Sequence, residues 1–567
     1  MKWPIIFNFL LFILLSFIVP TRSIDNPNPN TLELVEDFRV SKNIVFSCQA
    51  GGSSHINWVL LILEELATRG HNITYITRDD HLKFGKPYPK IKSVSIGKRL
   101  VQSWLPTTSG KRGDWIERMK VVEGPIRSET EKEVAFYRSY FTENNVDVAL
   151  CDMFTTICVL VAREMKIPFI ITSSIDISPA IWECLSNNAS IDSKAPYINN
   201  GIMDMEDPIT LYQSYFKRLY TTTILPYTTI YRTMGYAKEF SRKLDSVGIS
   251  GFNGNEIGLW KDSLKMVNTV FGFEPARPVG PLVEFVGPII PRNHQPLTDS
   301  LKSYLDTHQR IAYIAFGQHA TPELHDTRLI LTAMFENIEN GALDGFVWAT
   351  VHLTKDFPTS ITTSSNTTYY YSDLIKDKIP SSRLVRWAPQ YAVLNHPSTI
   401  MFMTHGGAGS LHEALFAGKR LVGYPFCGDQ PGTARNIERS KLGAFVDYKK
   451  SQLEANKAIE RVVRDKGGVI QQTVNRYKAL VQIHTQTGVR RGADLVEEVA
   501  FVNVDGALPH RYEVARKMSF VKANNLDVHA TWILAVLGLF YLIVLGVKSA
   551  ILSIYTSVHR SRKLKTL

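Results

Sequence analysis

The segment 530–547 constrains the fold more than any other stretch of this chain, because it is long, apolar and free of charged residues. A helix needs about 20 mostly apolar residues to cross the hydrocarbon core of a bilayer. We therefore predict a transmembrane helix over 528–550, with a buried core helix as the alternative. The segment 551–567 that follows is basic, and basic residues stay on the cytosolic side of a membrane. The body before the helix is then expected to be lumenal, and the tail cytosolic.

The two chain ends also carry features of targeting. An apolar run follows Lys2 and stops at Pro20, before a few small residues, which is typical of a secretory signal peptide. We predict a signal peptide over 1–23, with an uncleaved anchor as the alternative. Near the C-terminus, Lys563 and Lys565 resemble a dilysine retrieval signal, although simple positive-inside charge also explains them. The ends together predict a single-pass membrane protein of the endoplasmic reticulum.

Charge and cysteine content argue against two broad classes of protein. The formal net charge is +11, but the basic residues are dispersed and form no stripe with aromatic residues, so nucleic acid is not an expected partner. Five cysteines are few and odd in number, which argues against a disulfide framework. Cys48 and Cys151 occur in apolar, strand-like runs and are predicted to be small buried hydrophobic residues. Of the sequons at Asn72, Asn188 and Asn366, the last lies in a polar run and is the best candidate for glycosylation.

Strands and helices alternate along most of the predicted lumenal part. Short apolar runs alternate with helical patterns from Asn43 onwards, and the alternation restarts after a proline-rich break at 287–298, which we interpret as a linker. Such alternation produces parallel sheets covered by helices. We therefore predict an α/β protein with two Rossmann-like, doubly wound domains that face a cleft. The first covers 24–286, and the second covers 299–525 and includes a returning helix.

The stretch 174–254 interrupts that alternation and is rich in aromatic residues. Aromatic helices of this kind either wall an apolar pocket or pack in the ordinary way, and the sequence does not distinguish the two. The residues concerned are Tyr212, Tyr215, Phe216, Tyr220, Tyr227 and Tyr231.

A glycine-rich turn carries the most informative chemical signal in the sequence. An apolar strand over 400–403 runs into the residues THGGAGS at 404–410, after which a helical pattern begins. A strand, a glycine-rich turn and a helix present backbone N–H groups and a positive dipole end to phosphate. The GxxxxGK[ST] pattern of a P-loop is absent. On the glycines alone, a plain strand–turn–helix joint is an equally good interpretation.

Flanking residues make this turn part of a longer, ordered motif. W-x-P-Q at 387–390, H-P at 396–397, T-H-G-G-x-x-S-x-x-E at 404–413 and D-Q at 429–430 follow one another. The set closely resembles the donor-binding signature of the UDP-glycosyltransferase family. The whole chain is more loosely similar to the membrane-anchored, UDP-glucuronosyltransferase-like members. The resemblance implies a GT-B fold, with an active site between two Rossmann-like domains and a UDP-sugar as co-substrate.

The resemblance gives a role to each residue of the donor motif. Trp387 would stack on uracil, and Gln390 would contact the nucleoside. Glu413 would accept hydrogen bonds from the ribose hydroxyls, whereas Asp429 and Gln430 would hold hydroxyls of the transferred sugar. The residues implied to hold the diphosphate are His405, Gly406, Gly407 and Ser410.

The resemblance also places a general base in the first domain. His55 lies at the joint between the first strand and the first helix, where the helix dipole disfavours imidazolium and keeps the ring ready to accept a proton. Asp152 follows a later strand and would fix the tautomer of His55 and stabilise its protonated form. A helix cap is the alternative role for Asp152.

The implied reaction is a single displacement with inversion, from a UDP-sugar to a hydroxyl of a small lipophilic acceptor. Neither a metal nor a further cofactor is expected, because Asp204-x-Glu206 is only a weak look-alike of a metal-binding motif. Gln318 and Thr433 depart from the family pattern and put some donor contacts in doubt. The alternative function is therefore a catalytically weak membrane regulator that binds a nucleotide-sugar or lipid. The donor sugar, the acceptor and the oligomeric state stay open at this stage.

Overall fold

The computed structural model describes residues 38–49, 51–98, 129–174, 210–252, 257–260, 262–273, 276, 279–317, 320, 322–350, 356–426 and 430–563. The predicted signal peptide at 1–23 lies outside these residues. So do Asn188, Asp204, Glu206, Gln318, Asp429 and Lys565.

Seven parallel strands form the sheet of the first domain, in the order β3-β2-β1-β4-β5-β6-β7. They are β1 (Asn43–Ser47), β2 (Asn72–Thr77), β3 (Ile91–Ser95), β4 (Val148–Asp152), β5 (Phe169–Ser173), β6 (Leu264–Val267) and β7 (Val283–Phe285). The helices of this part of the chain are α1 (Ser53–Thr68), α2 (Thr130–Glu143), α3 (Thr156–Glu164), α4 (Tyr215–Thr223) and α5 (Leu225–Ser246). The central strands β4 and β5 are buried along their whole length, as strands covered on both faces must be.

Six parallel strands form the sheet of the second domain, in the order β12-β9-β8-β13-β14-β15. They are β8 (Ile311–Ala315), β9 (Gly345–Ala349), β12 (Ser382–Val385), β13 (Thr399–Thr404), β14 (Arg420–Gly423) and β15 (Gly443–Phe445). A separate antiparallel pair is formed by β10 (Ser360–Thr362) and β11 (Thr368–Tyr370). The helices are α6 (Asp299–Asp306), α7 (Leu324–Glu339), α8 (Tyr371–Leu374), α9 (Gln390–Asn395), α10 (Ala408–Ala417), α11 (Gln430–Arg439), α12 (Gln452–Arg464) and α13 (Val469–Thr485). The prediction of two Rossmann-like domains is therefore confirmed.

The returning helix α14 (Gly488–Val502) packs against α1 of the first domain. A Cβ atom at Gly492 would lie 2.4 Å from Cδ1 of Ile62, so glycine allows the two helices to approach closely. Leu495 and Val496 of α14 are fully buried in the same hydrophobic cluster as Ile62. The first domain is therefore built from two separate stretches of the chain.

The two domains also contact each other through α13 and the residues Gly272 and Phe273. The Tyr477 hydroxyl of α13 donates a hydrogen bond of 3.0 Å to the Gly272 carbonyl, and the ring of Phe273 stacks between His412 and Tyr477. Burial of His412 lowers its pKa to about 3, so this ring is neutral at ordinary pH. At this contact the domains thus meet through an aromatic stack in which the histidine is neutral.

The chain ends in one long helix, α16 (Leu526–Lys563), which follows the short helix α15 (Phe520–Ala523). Within Leu526–Arg560, a stretch of 18 residues has a mean hydropathy of 2.4 and is not buried inside the protein, so the helix is long and apolar enough to cross a membrane. This is the helix predicted over 528–550. It continues through much of the segment expected to be a basic tail.

The six aromatic residues named in the stretch before β6 lie on the surface. All six of these tyrosine and phenylalanine residues are exposed in the described structure. The guanidinium of Arg439, in α11 of the second domain, lies 3.8 Å from the ring centre of Tyr212. Ordinary packing in the described core therefore does not explain these residues, and a role in walling an apolar pocket stays a prediction.

The cysteine prediction is wrong at one position. Cys48 and Cys151 are both buried, as expected, but Cys151 forms a disulfide bond with Cys158. The short turn between β4 and α3 brings the two Cα atoms to 6.0 Å, a separation that a disulfide can span. The odd number of cysteines had argued against disulfide bonds, although these two neighbouring cysteines form one.

Candidate active site

His55 and Asp152 lie together at the carboxyl edge of the first sheet. Helix α1 begins at Ser53, so His55 lies in its first turn rather than in the joint before it. Nδ1 of His55 lies 2.8 Å from Oδ2 of Asp152, and the two side chains are 14% and 1% exposed. Because β1 and β4 are neighbours in the sheet, the residues that follow them meet at one point. The structure therefore brings together the two residues predicted to form the catalytic pair.

Asp152 is the last residue of β4, and its carboxylate also organises the turn that follows. Oδ1 accepts a hydrogen bond of 3.1 Å from the Phe154 backbone N–H, while Oδ2 faces His55. Helix α3 has Thr155 as its N-cap residue, so Asp152 is not the cap considered as its alternative role. The Phe154 ring lies 5.2 Å from the His55 ring. The turn from Asp152 to Thr155 thus contacts His55 through a carboxylate and through an aromatic ring.

A buried polar cluster behind this turn was not predicted from the sequence. Glu133 accepts hydrogen bonds from Arg78 and from the side-chain amide of Gln49, which also bonds Tyr137. Burial raises the pKa of Glu133 to about 7, although the charge of Arg78 and the bond from Gln49 oppose that shift. The sequence feature that could have revealed the cluster is Glu133 itself, a charged residue on the apolar face of a helix, beside Val134.

His405 of the donor motif lies between two glycines of the second domain. A Cβ atom at Gly407 would lie 2.3 Å from Nε2 of His405, and one at Gly317 would lie 3.1 Å from Cε1. Gly317 and Gly406 also have positive φ angles of 73° and 89°, which favour glycine. The imidazole therefore occupies the space that side chains at these positions would fill.

The N-termini of α1 and α10 face each other across the cleft. A Cβ atom at Gly409 would lie 3.5 Å from Cβ of Ser54, which is ordinary van der Waals contact. The two helices begin after Gly52 and Gly407, which have no side chain to cap the first N–H groups, and neither first turn contains an acidic residue. Two positive dipole ends thus point at one region, which suits a doubly charged anion such as a diphosphate.

The predicted nucleoside contacts form a group of their own. The Gln390 side-chain amide donates hydrogen bonds of 2.7 Å to Oε2 of Glu413 and of 3.2 Å to Oγ of Ser410. Burial raises the pKa of Glu413, and the bond from Gln390 opposes that rise. Trp387 lies in the loop between β12 and α9 with 58% of its surface exposed, so it is not a core tryptophan.

Gln430, one of the two residues predicted to hold the transferred sugar, is the first residue of α11. Its Oε1 accepts a hydrogen bond of 2.9 Å from the Phe426 backbone N–H. Thr433, one of the two departures from the family pattern, packs beside Gly406, where a Cβ atom would lie 3.5 Å from its own Cβ. Asp429 lies outside the described residues. Within the described part of the chain, no group of three or more His, Cys, Asp or Glu side chains is arranged to hold a metal ion.

Comparisons with known proteins agree with this architecture. A family model described as "UDP-glucoronosyl and UDP-glucosyl transferase" matches residues 44–562. The chain is 34% identical over 293 residues to UDP-glycosyltransferase 1 of Phaeomoniella chlamydospora, covering 49% of this chain and 57% of that protein. It thus spans little more than half the length of that relative. It is 26% identical to UDP-glycosyltransferase FPY2 of Fusarium mangiferae over 507 residues, which cover 84% of this chain and 87% of that protein.

One solved structure illustrates the likeness of fold. A UDP-glucose: anthocyanidin 3-O-glucosyltransferase in complex with UDP superposes with a TM-score of 0.55 at 17% identity. The match covers 81% of this chain and 99% of that protein. At this identity, the likeness concerns the two-domain fold.

Proposed function

The chain belongs to the UDP-glucuronosyl and UDP-glucosyl transferase family, and from this premise we propose that it transfers a hexosyl or glucuronosyl group from a UDP-sugar to a hydroxyl of a small lipophilic acceptor. One observation carries the proposal. His55, paired with Asp152, lies in the first turn of α1, and that turn adjoins the N-terminal turn of α10, where a Cβ atom at Gly409 would lie 3.5 Å from Cβ of Ser54. A base and an anion site therefore adjoin one cleft, which provides the proximity that group transfer needs.

His55 is proposed to act as the general base. Because Nδ1 faces Asp152, Nε2 would accept the proton of the acceptor hydroxyl. The acceptor oxygen forms a bond to the anomeric carbon of the sugar while the bond from that carbon to the diphosphate oxygen breaks, so the configuration inverts and UDP leaves. Asp152 would hold the tautomer and stabilise the imidazolium that forms.

The second domain is proposed to bind the donor and stabilise the leaving group. The N–H groups at the start of α10, with His405 and Ser410, would hold the diphosphate as negative charge grows on it. Glu413 would bind the ribose, Trp387 would stack on uracil, and Gln430 with Asp429 would contact the sugar. Two helix N-termini supply positive potential at this position, so a metal ion is not part of the proposed mechanism.

The membrane helix bears on the choice of acceptor and on localisation. We propose that α16 anchors the protein in the endoplasmic reticulum membrane with its catalytic body in the lumen. An anchored enzyme meets lipophilic molecules at the high local concentration that the bilayer provides. Acceptors with a hydroxyl on an apolar skeleton are therefore the substrate class to test first.

The deciding experiment measures UDP release by the full-length, detergent-solubilised protein with a panel of UDP-sugars and lipophilic alcohols, phenols and sterols. Acceptor-dependent UDP release that is lost in the His55→Ala variant supports the proposal and identifies the donor. UDP binding without release from any pair would favour the regulator instead. One observation favours that alternative. Gln390, Glu413 and Gln430 already form hydrogen bonds with other groups of this protein.

A further inference from the structure

The disulfide between Cys151 and Cys158 encloses the turn that contacts His55. Cys151 is the residue before Asp152 in β4, and Cys158 lies in the first turns of α3. Both cysteines are fully buried. The residues between them include Asp152, whose carboxylate faces Nδ1 of His55, and Phe154, whose ring lies against the imidazole. The disulfide thus closes a small loop that contains both groups that contact His55.

The disulfide and the base lie on opposite faces of β4. Successive residues of a strand point to opposite faces, so Cys151 points away from the side that Asp152 presents to His55. In agreement, Cys151 and Cys158 belong to the hydrophobic cluster beneath α2 and α3, whereas Ile56 of α1 belongs to the cluster on the other face. The bond therefore cannot touch a substrate bound at His55, and any effect on catalysis must pass through the turn.

Hydrogen bonds also hold the turn. The Thr155 N–H donates to the Asp152 carbonyl at 2.7 Å, and the Met153 N–H donates to the Thr172 carbonyl at 3.1 Å. The Gln49 N–H approaches the Thr155 hydroxyl at 3.4 Å, which is a long hydrogen bond. The disulfide links the end of β4 to the start of α3 covalently, in addition to the backbone of the turn. It therefore restricts the conformations open to the turn.

We propose that the Cys151–Cys158 disulfide is a positioning element for the general base, because it holds Asp152 and Phe154 against His55. The proposal rests on the base and partner roles assigned to His55 and Asp152 above. A displacement of about 1 Å at a catalytic contact can reduce turnover by up to about a hundredfold. A loosened turn is therefore expected to lower kcat while leaving the donor contacts of the second domain unchanged.

A double-mutant cycle tests the proposal. The Cys151→Ala/Cys158→Ala variant is compared with the wild type, with Asp152→Asn and with the triple variant, using kcat, the donor KM and UDP binding. The cysteine variant is expected to lose about tenfold in kcat, with the donor KM and UDP affinity within about twofold of the wild type. In the Asp152→Asn background the same change is expected to cost less than about twofold, because coupled residues are not additive.

Matched controls separate positioning from general stability. Val159→Ala removes buried packing from the same helix without touching the bond, so it should lower the melting temperature but leave kcat within about twofold. Should Cys151→Ala/Cys158→Ala not fold, Cys151→Val/Cys158→Ala refills part of the volume and serves in its place. Mapping of unreduced peptides should recover the 151–158 linkage.

Three outcomes overturn the proposal. These are free thiols at both positions, an unchanged kcat in the cysteine variant, or an equal loss in the wild-type and Asp152→Asn backgrounds. Each of them leaves the proposed function standing if His55→Ala has abolished turnover. Full turnover in His55→Ala would instead refute the proposed function itself, so the two failures are distinguishable.

Discussion

The two sides of the cleft differ in how their polar groups are paired. On the acceptor side, His55 already has its carboxylate partner at 2.8 Å, and that carboxylate is almost fully buried. On the donor side, Gln390 binds Glu413 and Ser410, and Gln430 binds a backbone N–H, so these groups bond to the protein itself. The difference suggests that the base is set before substrates arrive, whereas the donor site must exchange hydrogen-bond partners when a UDP-sugar binds. Changes on the first side should then alter kcat, and changes on the second the donor KM.

The largest effect is expected from His55→Ala. Loss of a positioned general base should reduce kcat at least about a hundredfold. UDP affinity, measured by calorimetry, should stay nearly unchanged, because the donor groups lie on the other domain. Glu64→Ala, at an exposed position of the same helix, is the control and should retain turnover. A mild loss in His55→Ala would mean that the acceptor side does not contain the base.

Glu413→Ala should mainly affect donor binding. Hydrogen bonds to charged groups contribute about 1.5–3 kcal/mol, so the donor KM is expected to rise about tenfold or more, with a smaller change in kcat. Initial rates across a range of UDP-sugar concentrations give this result. A donor KM equal to that of the wild type would break the ribose assignment and, with it, the proposed exchange of partners.

The pH dependence of donor binding sharpens the same point. Burial raises the pKa of Glu413 above its ordinary value. As pH falls through that raised pKa, the carboxylate gains a proton and accepts hydrogen bonds less well, so the donor KM should rise towards acid pH. Glu413→Gln cannot titrate, and its donor KM should vary less over the same acid range. A profile that is identical in both proteins would contradict this assignment.

Two neighbouring glycines provide a matched pair with a smaller expected effect. Alanine at Gly407 would place a Cβ atom 2.3 Å from His405, whereas alanine at Gly409 would lie 3.5 Å from Ser54. Gly407→Ala should therefore displace His405 and weaken UDP binding several-fold, while Gly409→Ala should leave it within about twofold. Thermal shift with UDP measures both, since a ligand that binds the native state raises its stability. Equal effects would remove His405 from the diphosphate site.

The smallest effect is expected from metal removal. If helix N-termini and His405 neutralise the diphosphate, dialysis against a chelator should change the rate of UDP release by less than about twofold. Re-addition of magnesium or manganese provides the control. Strong inhibition that either metal reverses would show that the donor side uses a cation.

Much of the fold could be read from the sequence, because parallel strands buried on both faces produce continuous apolar runs. The strand predicted over 400–403 is found as Thr399–Thr404, one residue longer at each end. Strand β3 was missed, since only Ile91 of its five residues is buried, while Lys92 and Ser93 are exposed. The pairing of Cys151 with Cys158 was missed because spacing along the chain does not reveal which strand end faces which helix.

The site was predictable to a different degree on its two sides. Topology alone brings His55 and Asp152 together, because β1 and β4 are adjacent and parallel. The bond from Gln390 to Glu413 depends on side-chain packing between α9 and α10, which no motif records. The buried Glu133 cluster lay outside any family pattern and needed the three-dimensional arrangement of β2 and α2.

The return of α14 to the first domain has a mechanical consequence. The chain crosses between the domains twice, once through the segment 287–298 and again between α13 and α14. Two connections restrict twisting of one domain against the other more than a single connection would. A single protease cut within 287–298 would leave the two domains joined by the connection between α13 and α14. Because α16 follows α14 along the chain, the proposed membrane anchor is connected to the first domain.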